Sequence, residues 1–163
     1  MPFETYVDPR TQQVPVSAGT LNAADDAFLR DVAGLLHQGV RMSAMAADRS
    51  PCDEVQTLAR GESTAQSAQV AAVEHLAHEG KGAAPGPSVM QEWMRCGSDN
   101  EELAQTPLST FDDVYLAQQV AQHYAVIERC DPEMIVGLSE AVRTFSDSVV
   151  RSHTAGLDHI HEH

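Results

Sequence analysis

Apolar residues recur every three or four positions through the last third of the chain, and this pattern constrains the fold more than any other feature. Between positions 132 and 160 the period predicts one long amphipathic helix with a single buried face. The residues of this face are Ile135, Leu138, Val142, Phe145, Val149 and Leu157. A shorter stripe predicts another helix over about 110–128. Its residues are Leu116, Val120 and Ile127. Because Asp131 and Pro132 between the two stripes are typical of a helix start, the sequence predicts a helical hairpin.

The first half of the chain contains two further helical patterns. Asn22 is a good capping residue, and the apolar spacing after it predicts a helix over about 23–47. Ser50 and Pro51 then supply a cap and a first-turn proline for a second helix over about 51–79. Since the loop between them is short, these two helices are predicted to be antiparallel neighbours.

The remaining segments lack helical periodicity. A stretch rich in glycine and proline opens a crossover predicted over 80–109, with one short helix at about 89–96 inside it. Residues 1–21 contain proline and glycine and are predicted to be an extended N-terminal arm. The sequence therefore predicts an all-α protein with one domain over 22–163. Its expected architecture is an antiparallel up-down four-helix bundle made of two hairpins.

The charge of the chain argues against some partners. The formal net charge is −14 at pH 7, which would repel nucleic acid and anionic membrane surfaces. No apolar run reaches the roughly 20 residues of a membrane span, and the first residues lack the basic and apolar regions of a signal peptide. We therefore expect a cytoplasmic location, although the mature form of an exported protein would look the same. A protein partner or a homo-oligomer fits this surface better than nucleic acid or membrane.

Three polar residues of the second predicted helix are placed on its core face. At 100° per residue, Glu62, Gln66 and Gln69 fall on the same side as apolar residues of that helix. Polar groups in such a position are costly unless they find partners. They therefore form hydrogen bonds across the core, mark an oligomer surface, or line an internal ligand or metal site.

Two histidines, His123 and His153, are predicted on or beside the core faces of the last two long helices. Counting about 1.5 Å per residue from the turn at Asp131 places His123 roughly 10 Å and His153 roughly 30 Å away. The count predicts that the two histidines cannot share one metal ion and that His153 lies near Gln69. Because imidazole and carboxylate groups bind transition metals, His153, His123 and Glu62 are candidate metal ligands.

Residues in both halves of the chain match a known pattern. Those in the second half are Phe111, Asp112, Tyr115, His123, His153, Ala155 and Leu157, and those in the first half are Asp26, Ala27, Phe28, Leu29, Leu58 and Ala59. With these residues the chain resembles a bacterial family of unknown function that is placed in the ferritin-like superfamily. The resemblance covers about 21–160. It implies a ferritin-like four-helix bundle and brings no settled activity with it.

The sequence contains no motif that predicts a catalytic residue. A ferritin-like di-iron centre normally supplies two Glu-x-x-His motifs, and no Glu-x-x-His occurs in the chain. Nucleophile elbows, phosphate loops and dinucleotide fingerprints are missing as well. These observations favour a non-catalytic binding or interaction module. The alternative is a protein that binds a transition metal or a small ligand inside the bundle, and a ferritin-like oxidoreductase comes third.

Overall fold

The computed structural model describes residues 21–81, 99–131 and 137–162, and this part of the chain contains five α-helices and no strand. We number the helices in chain order. They are α1 (Ala23–Arg49), α2 (Asp53–Lys81), α3 (Asp99–Gln105), α4 (Leu108–Arg129) and α5 (Glu140–His161). The prediction of an all-α protein is thus confirmed for the described residues.

Helix α1 begins at the predicted cap. Asn22 accepts a hydrogen bond from the backbone N–H of Asp25 at 2.9 Å, and the Asp25 carboxylate accepts one from the backbone N–H of Asn22 at 3.0 Å. The other oxygen of Asp25 accepts a hydrogen bond from the backbone N–H of Ser139 at 2.8 Å, just before α5. Asp25 therefore ties the first turns of α1 and α5 together, and these bonds compensate for the burial of its charge.

Helix α5 begins later than predicted. Its first residue is Glu140, with Ser139 as the N-cap, rather than a residue near 132. Gly137 explains part of the difference, because its φ of +91° lies in the left-handed region, which an α-helix does not contain. Residues 132–136 lie outside the described residues, so the predicted start at Pro132 falls there.

The connection between α2 and α4 also differs from its prediction. Helix α3 lies at Asp99–Gln105, a stretch that was predicted to be a loop, and α4 begins at Leu108 rather than near 110. The short helix predicted at 89–96 lies outside the described residues, as do residues 1–20 of the predicted arm.

Arg49, the last residue of α1, holds α3 against α1 and α4. Its guanidinium donates hydrogen bonds to the carbonyl oxygens of Leu103 at 3.1 Å, Ala104 at 2.7 Å and Thr106 at 3.1 Å. The same group lies 4.9 Å from the centroid of the Phe111 ring in α4. Three carbonyls at the end of a short helix are thereby satisfied by one side chain.

Two apolar clusters make up the core of the four long helices. The larger one contains Phe28, Leu29, Val32, Ala33, Leu36, Val70, Val73, Leu76, Val126, Cys130, Leu138, Ala141, Val142, Phe145 and Val149. The smaller one contains Met42, Ala46, Ala59, Leu103, Phe111 and Tyr115. The core face predicted for the last helix is confirmed from Leu138 onward, since Val142, Phe145, Val149 and Leu157 are also buried.

The predicted core face of α4 is wrong. Leu116, Val120 and Ile127 are only partly buried. The residues buried by this helix are Phe111, Tyr115, Gln119, Gln122, His123 and Val126. The face that α4 turns to the core is therefore polar in its middle, where it passes between the two apolar clusters.

Candidate functional site

Nine polar side chains from the four long helices form a connected group, which we call the polar layer. They are Ser43 of α1, Glu62, Gln66 and Gln69 of α2, Tyr115, Gln119, Gln122 and His123 of α4, and His153 of α5. Along α2 and α4 the glutamate, the glutamines and His123 lie between members of the two apolar clusters. The five residues predicted from the sequence as ligand-binding are all in this layer.

The two histidines are in direct contact, which contradicts the prediction that they lie far apart. The Nδ1 atoms of His123 and His153 are 2.8 Å apart, and the ring centroids are 4.8 Å apart. Both residues are about 1% exposed. A hydrogen bond therefore joins α4 to α5 inside the core.

The prediction failed because it measured both positions from the wrong turn. The Ser146 hydroxyl of α5 donates to the Cys130 carbonyl at the end of α4, at 3.4 Å. His123 comes seven residues before Cys130 and His153 seven residues after Ser146, so both lie roughly 10 Å from that contact. Ser146, rather than the turn at Asp131, is level with Cys130, so the count towards His153 should begin at Ser146.

His153 also contacts α2. Its Nε2 lies 2.9 Å from Gln69 Oε1, the contact that was predicted for this pair. Burial, and after it the neighbouring His123, lowers the pKa of His153 to about 4, although Glu62 acts in the opposite direction. His153 is therefore neutral at pH 7, with one N–H. Because an amide oxygen only accepts, that proton lies on Nε2, and His153 Nδ1 accepts from Nδ1–H of His123.

Glu62 is the carboxylate of the polar layer. Its Oε2 accepts hydrogen bonds from the side-chain amides of Gln66 and Gln119, each at 3.1 Å, and lies 3.4 Å from His123 Nε2. Burial alone would raise the pKa of Glu62, but the hydrogen bond and charge of His123, with help from Gln66, leave this pKa below its ordinary value. The side chain is therefore an ionised carboxylate with only 13% exposure.

A backbone carbonyl fixes the orientation of two glutamines. Gln122 Nε2 donates to the carbonyl oxygen of Leu35 and to Gln66 Oε1, both at 3.0 Å. Since a carbonyl cannot donate, the Gln122 amino group must face Leu35, and Gln66 must then turn its own amino group to Glu62. The side-chain oxygen of Gln122, Oε1, is buried and has no hydrogen-bond partner among the described residues.

Two hydroxyl groups lie at the other end of the layer. Ser43 Oγ is 3.1 Å from the Tyr115 hydroxyl and 3.4 Å from Gln119 Oε1. Gln119 Nε2 in turn is 3.2 Å from His123 Nε2. Burial raises the pKa of Tyr115, so its hydroxyl stays protonated. Tyr115 can therefore donate to Ser43, Ser43 to Gln119, and Gln119 to Glu62.

Two helical glycines leave room for these side chains. A Cβ atom at Gly39 of α1 would overlap the amide groups of Gln66 and Gln122. A Cβ atom at Gly156 of α5 would lie 2.7 Å from Cε1 of His123 and 3.1 Å from Oε1 of Glu62. Glycine is thus needed at both positions for close approach to the polar layer rather than for an unusual backbone angle.

The sequence did not identify four members of the layer, Ser43, Tyr115, Gln119 and Gln122. Polar residues at helical spacing look like a solvated face when periodicity is judged by hydrophobicity. One signal in the sequence could have found Gln119. It follows Phe111 and Tyr115 at intervals of four residues, so it lies on the same side of the helix as these two buried aromatic residues.

The donor set limits the chemistry of the layer. Within the described residues, no three His, Cys, Asp or Glu side chains are grouped so that they could hold a metal ion. Glu62 and His123 supply one oxygen and one nitrogen at close range, and His153 turns both of its nitrogens to other side chains. Metal binding by Glu62, His123 and His153 together therefore stays a prediction.

These features define an all-helical protein with a buried polar layer between two apolar clusters. The chain belongs to the DUF4142 family, a domain of unknown function, which it matches over residues 10–162. No curated protein and no solved structure matches the chain. Among the helices that the structure describes, none combines the length and apolar character needed to cross a membrane.

Proposed function

We propose that this protein is a non-catalytic binding protein built on an antiparallel up-down four-helix bundle of ferritin-like type. The opposite direction of α4 and α5 is supported by the equal spacing from Cys130 back to His123 and from Ser146 forward to His153. The three-residue connection between α1 and α2 supports the same arrangement in the first hairpin.

The binding site that we propose is the polar layer, and its ligand is a transition metal cation. The observation that carries this proposal is the ionised Glu62 inside the core. Its one ion-pair partner among the described residues is His123, and no Lys or Arg in that part of the chain forms an ion pair with it. A buried carboxylate without a fixed positive partner attracts a cation, and the neighbouring imidazole favours a transition metal over Mg²⁺ or Ca²⁺.

An interaction module that works through its outer surface is the second candidate. It is favoured by the net charge of −14, which suits a cationic protein partner. In that case the polar layer only fixes the packing of the helices. A ferritin-like oxidoreductase has less support, because Glu62 is the single carboxylate of the layer, whereas a di-iron centre uses several.

Metal-dependent melting tests the proposal. The full chain, purified without a nickel column and stripped with a chelator, is melted alone and with Zn²⁺, Ni²⁺, Cu²⁺ or Mn²⁺. A metal at 100 times its dissociation constant should stabilise the native state by about 2.7 kcal/mol. For a domain of this size that corresponds to a rise in Tm of roughly 5 to 10 °C.

Two variants make the result specific to the polar layer. Glu62→Gln should abolish the rise in Tm, because it removes the buried charge. A variant with His159→Ala and His161→Ala should keep it, because these exposed side chains at the end of α5 lie outside the layer. A rise that survives in Glu62→Gln, or no rise with any of the four metals, would overturn the proposal and favour the surface-interaction candidate.

A further inference from the structure

Gln119 differs from Gln66 and Gln122 of the polar layer in the group that its side-chain oxygen contacts. Gln119 Oε1 faces the hydroxyl of Ser43, and a hydroxyl can accept as readily as it donates. Gln122 is held by the carbonyl of Leu35, which only accepts, and Gln66 is held through Gln122. The amide of Gln119 can therefore turn over without losing its hydrogen bond to Ser43, whereas the amides of Gln66 and Gln122 cannot.

The amino group of Gln119 occupies one corner of a small triangle. Its Nε2 lies 3.1 Å from Glu62 Oε2 and 3.2 Å from His123 Nε2, and these two atoms are 3.4 Å apart. A tetrahedral metal ion with bonds of about 2.0 to 2.1 Å separates neighbouring ligand atoms by roughly 3.3 to 3.4 Å. The three corners therefore already have nearly the spacing of three ligands on one metal ion.

We propose that Gln119 completes a site for one divalent transition metal ion, in which Glu62 Oε2, His123 Nε2 and, after a half-turn of its amide, Gln119 Oε1 are the three protein ligands. This inference rests on the proposed function and adds a ligand that the sequence did not reveal. One nitrogen and two oxygens suit zinc, nickel, copper(II) or iron(II). In the metal-bound state the Gln119 amino group donates to Ser43, whose hydroxyl then donates to Tyr115.

His153 and Gln69 act as positioning residues in this site. Gln69 Oε1 accepts the Nε2 proton of His153, so that His153 Nδ1 accepts the Nδ1 proton of His123. This arrangement turns His123 Nε2 to Glu62 Oε2, and a metal ion that binds there takes the place of the proton that Nε2 donates to the carboxylate. Partners of this kind hold the ligating tautomer in place, and their loss commonly weakens metal binding about 10- to 100-fold.

Gly156 keeps one side of the triangle open. A Cβ atom at this position would lie 3.0 Å from His123 Nε2 and 3.1 Å from Glu62 Oε1. The backbone of α5 therefore approaches the proposed ligands without a side chain between them. Since those distances are shorter than ordinary contacts, any larger residue would crowd the place where the ion is expected.

Binding of Co²⁺ to the metal-stripped full chain tests this assignment, because tetrahedral Co²⁺ absorbs visible light strongly. Gln119→Met should weaken Co²⁺ binding by at least about tenfold and reduce the visible absorption per bound ion, whereas Gln119→Glu should retain both. Gln118→Met is the matched control and should leave Co²⁺ affinity unchanged, since it removes the amide of the preceding residue of α4, which contacts Glu102 outside the layer. Gln69→Leu should weaken binding about 10- to 100-fold.

Nitrogen NMR of the imidazole rings provides a readout that does not depend on these variants folding. His123 should carry a proton on Nδ1 both without and with metal, and Zn²⁺ should shift its Nε2 signal and leave the Nε2 signal of His153 in place. Equal Co²⁺ affinity of Gln119→Met and the natural chain would overturn the role of Gln119 and leave the proposed function standing. If the natural chain binds neither Co²⁺ nor Zn²⁺, both fail.

Discussion

Replacement of Gly156 by alanine tests the packing of α5 against the polar layer. In the middle of an exposed helix this change stabilises a protein by roughly 0.5 to 1 kcal/mol, because alanine loses less backbone entropy on folding. At Gly156 the new Cβ atom would lie 2.7 Å from His123 Cε1 and 3.0 Å from His123 Nε2. His123 cannot withdraw, because its other nitrogen is already 2.8 Å from His153.

The expected result for Gly156→Ala is a net loss of about 1 to 3 kcal/mol in the free energy of unfolding. Overpacking of a filled core costs about 1 to 3 kcal/mol, and each hydrogen bond lost by a displaced His123 adds about 1 kcal/mol. Together these costs exceed the gain in helix propensity. The size of the loss depends on how far α5 can shift away from α4.

Gly61 of α2 provides the matched control. It also lies within a helix, and a Cβ atom there would have no neighbour within 4 Å. Gly61→Ala should therefore stabilise the protein by roughly 0.5 to 1 kcal/mol. Urea denaturation followed by circular dichroism measures both variants. Equal stabilisation by the two changes would show that His123 does not pack against Gly156, and the polar layer as described would be wrong.

Two further changes test other parts of the structure. Because the pKa of His153 is lowered to about 4, the unfolded chain takes up a proton near pH 6.5 that the native protein excludes. The stabilisation from the neutral ring is complete above pH 6.5 and is lost as the pH falls towards 4, by up to about 1.4 kcal/mol per pH unit. Urea denaturation at several pH values between 7 and 4.5 should therefore show that the free energy of unfolding falls with pH. The variant His153→Gln should remove this dependence. Arg49→Lys should lower the free energy of unfolding by about 1 to 3 kcal/mol, since a lysine cannot span three carbonyl oxygens. A loss below 0.5 kcal/mol, a rough limit for a surface change, would contradict the role of Arg49.

Local sequence signals predicted the parts of the fold that depend on neighbouring residues. The capping box of Asn22 and Asp25 was readable because its two partners are three positions apart. The core face of α5 could be predicted because most of its buried residues are apolar and the other positions of the helix are polar. The core-facing positions of Glu62 and Gln66 followed from the same period in α2.

The face of α4 could not be predicted in this way. Gln119, Gln122 and His123 are buried because polar groups from three other helices compensate for the loss of water. That compensation comes from residues up to 87 positions away in the chain. A hydrophobic period instead assigned the core face to Leu116 and Val120, which are only partly buried. The error is therefore a consequence of the polar layer itself.

The polar layer also explains how an alanine-rich chain with few aromatic residues can specify one arrangement of its long helices. Apolar contacts are not directional, so a helix that slid by one turn would still bury much of its apolar face. The layer does not permit this, because a shift of one turn in α5 would move His153 away from both His123 and Gln69. Each separated group would then be a buried polar atom without a partner, at a cost of about 1 to 3 kcal/mol. The same hydrogen bonds that we propose to position a metal ligand therefore fix the register of α5 against α2 and α4.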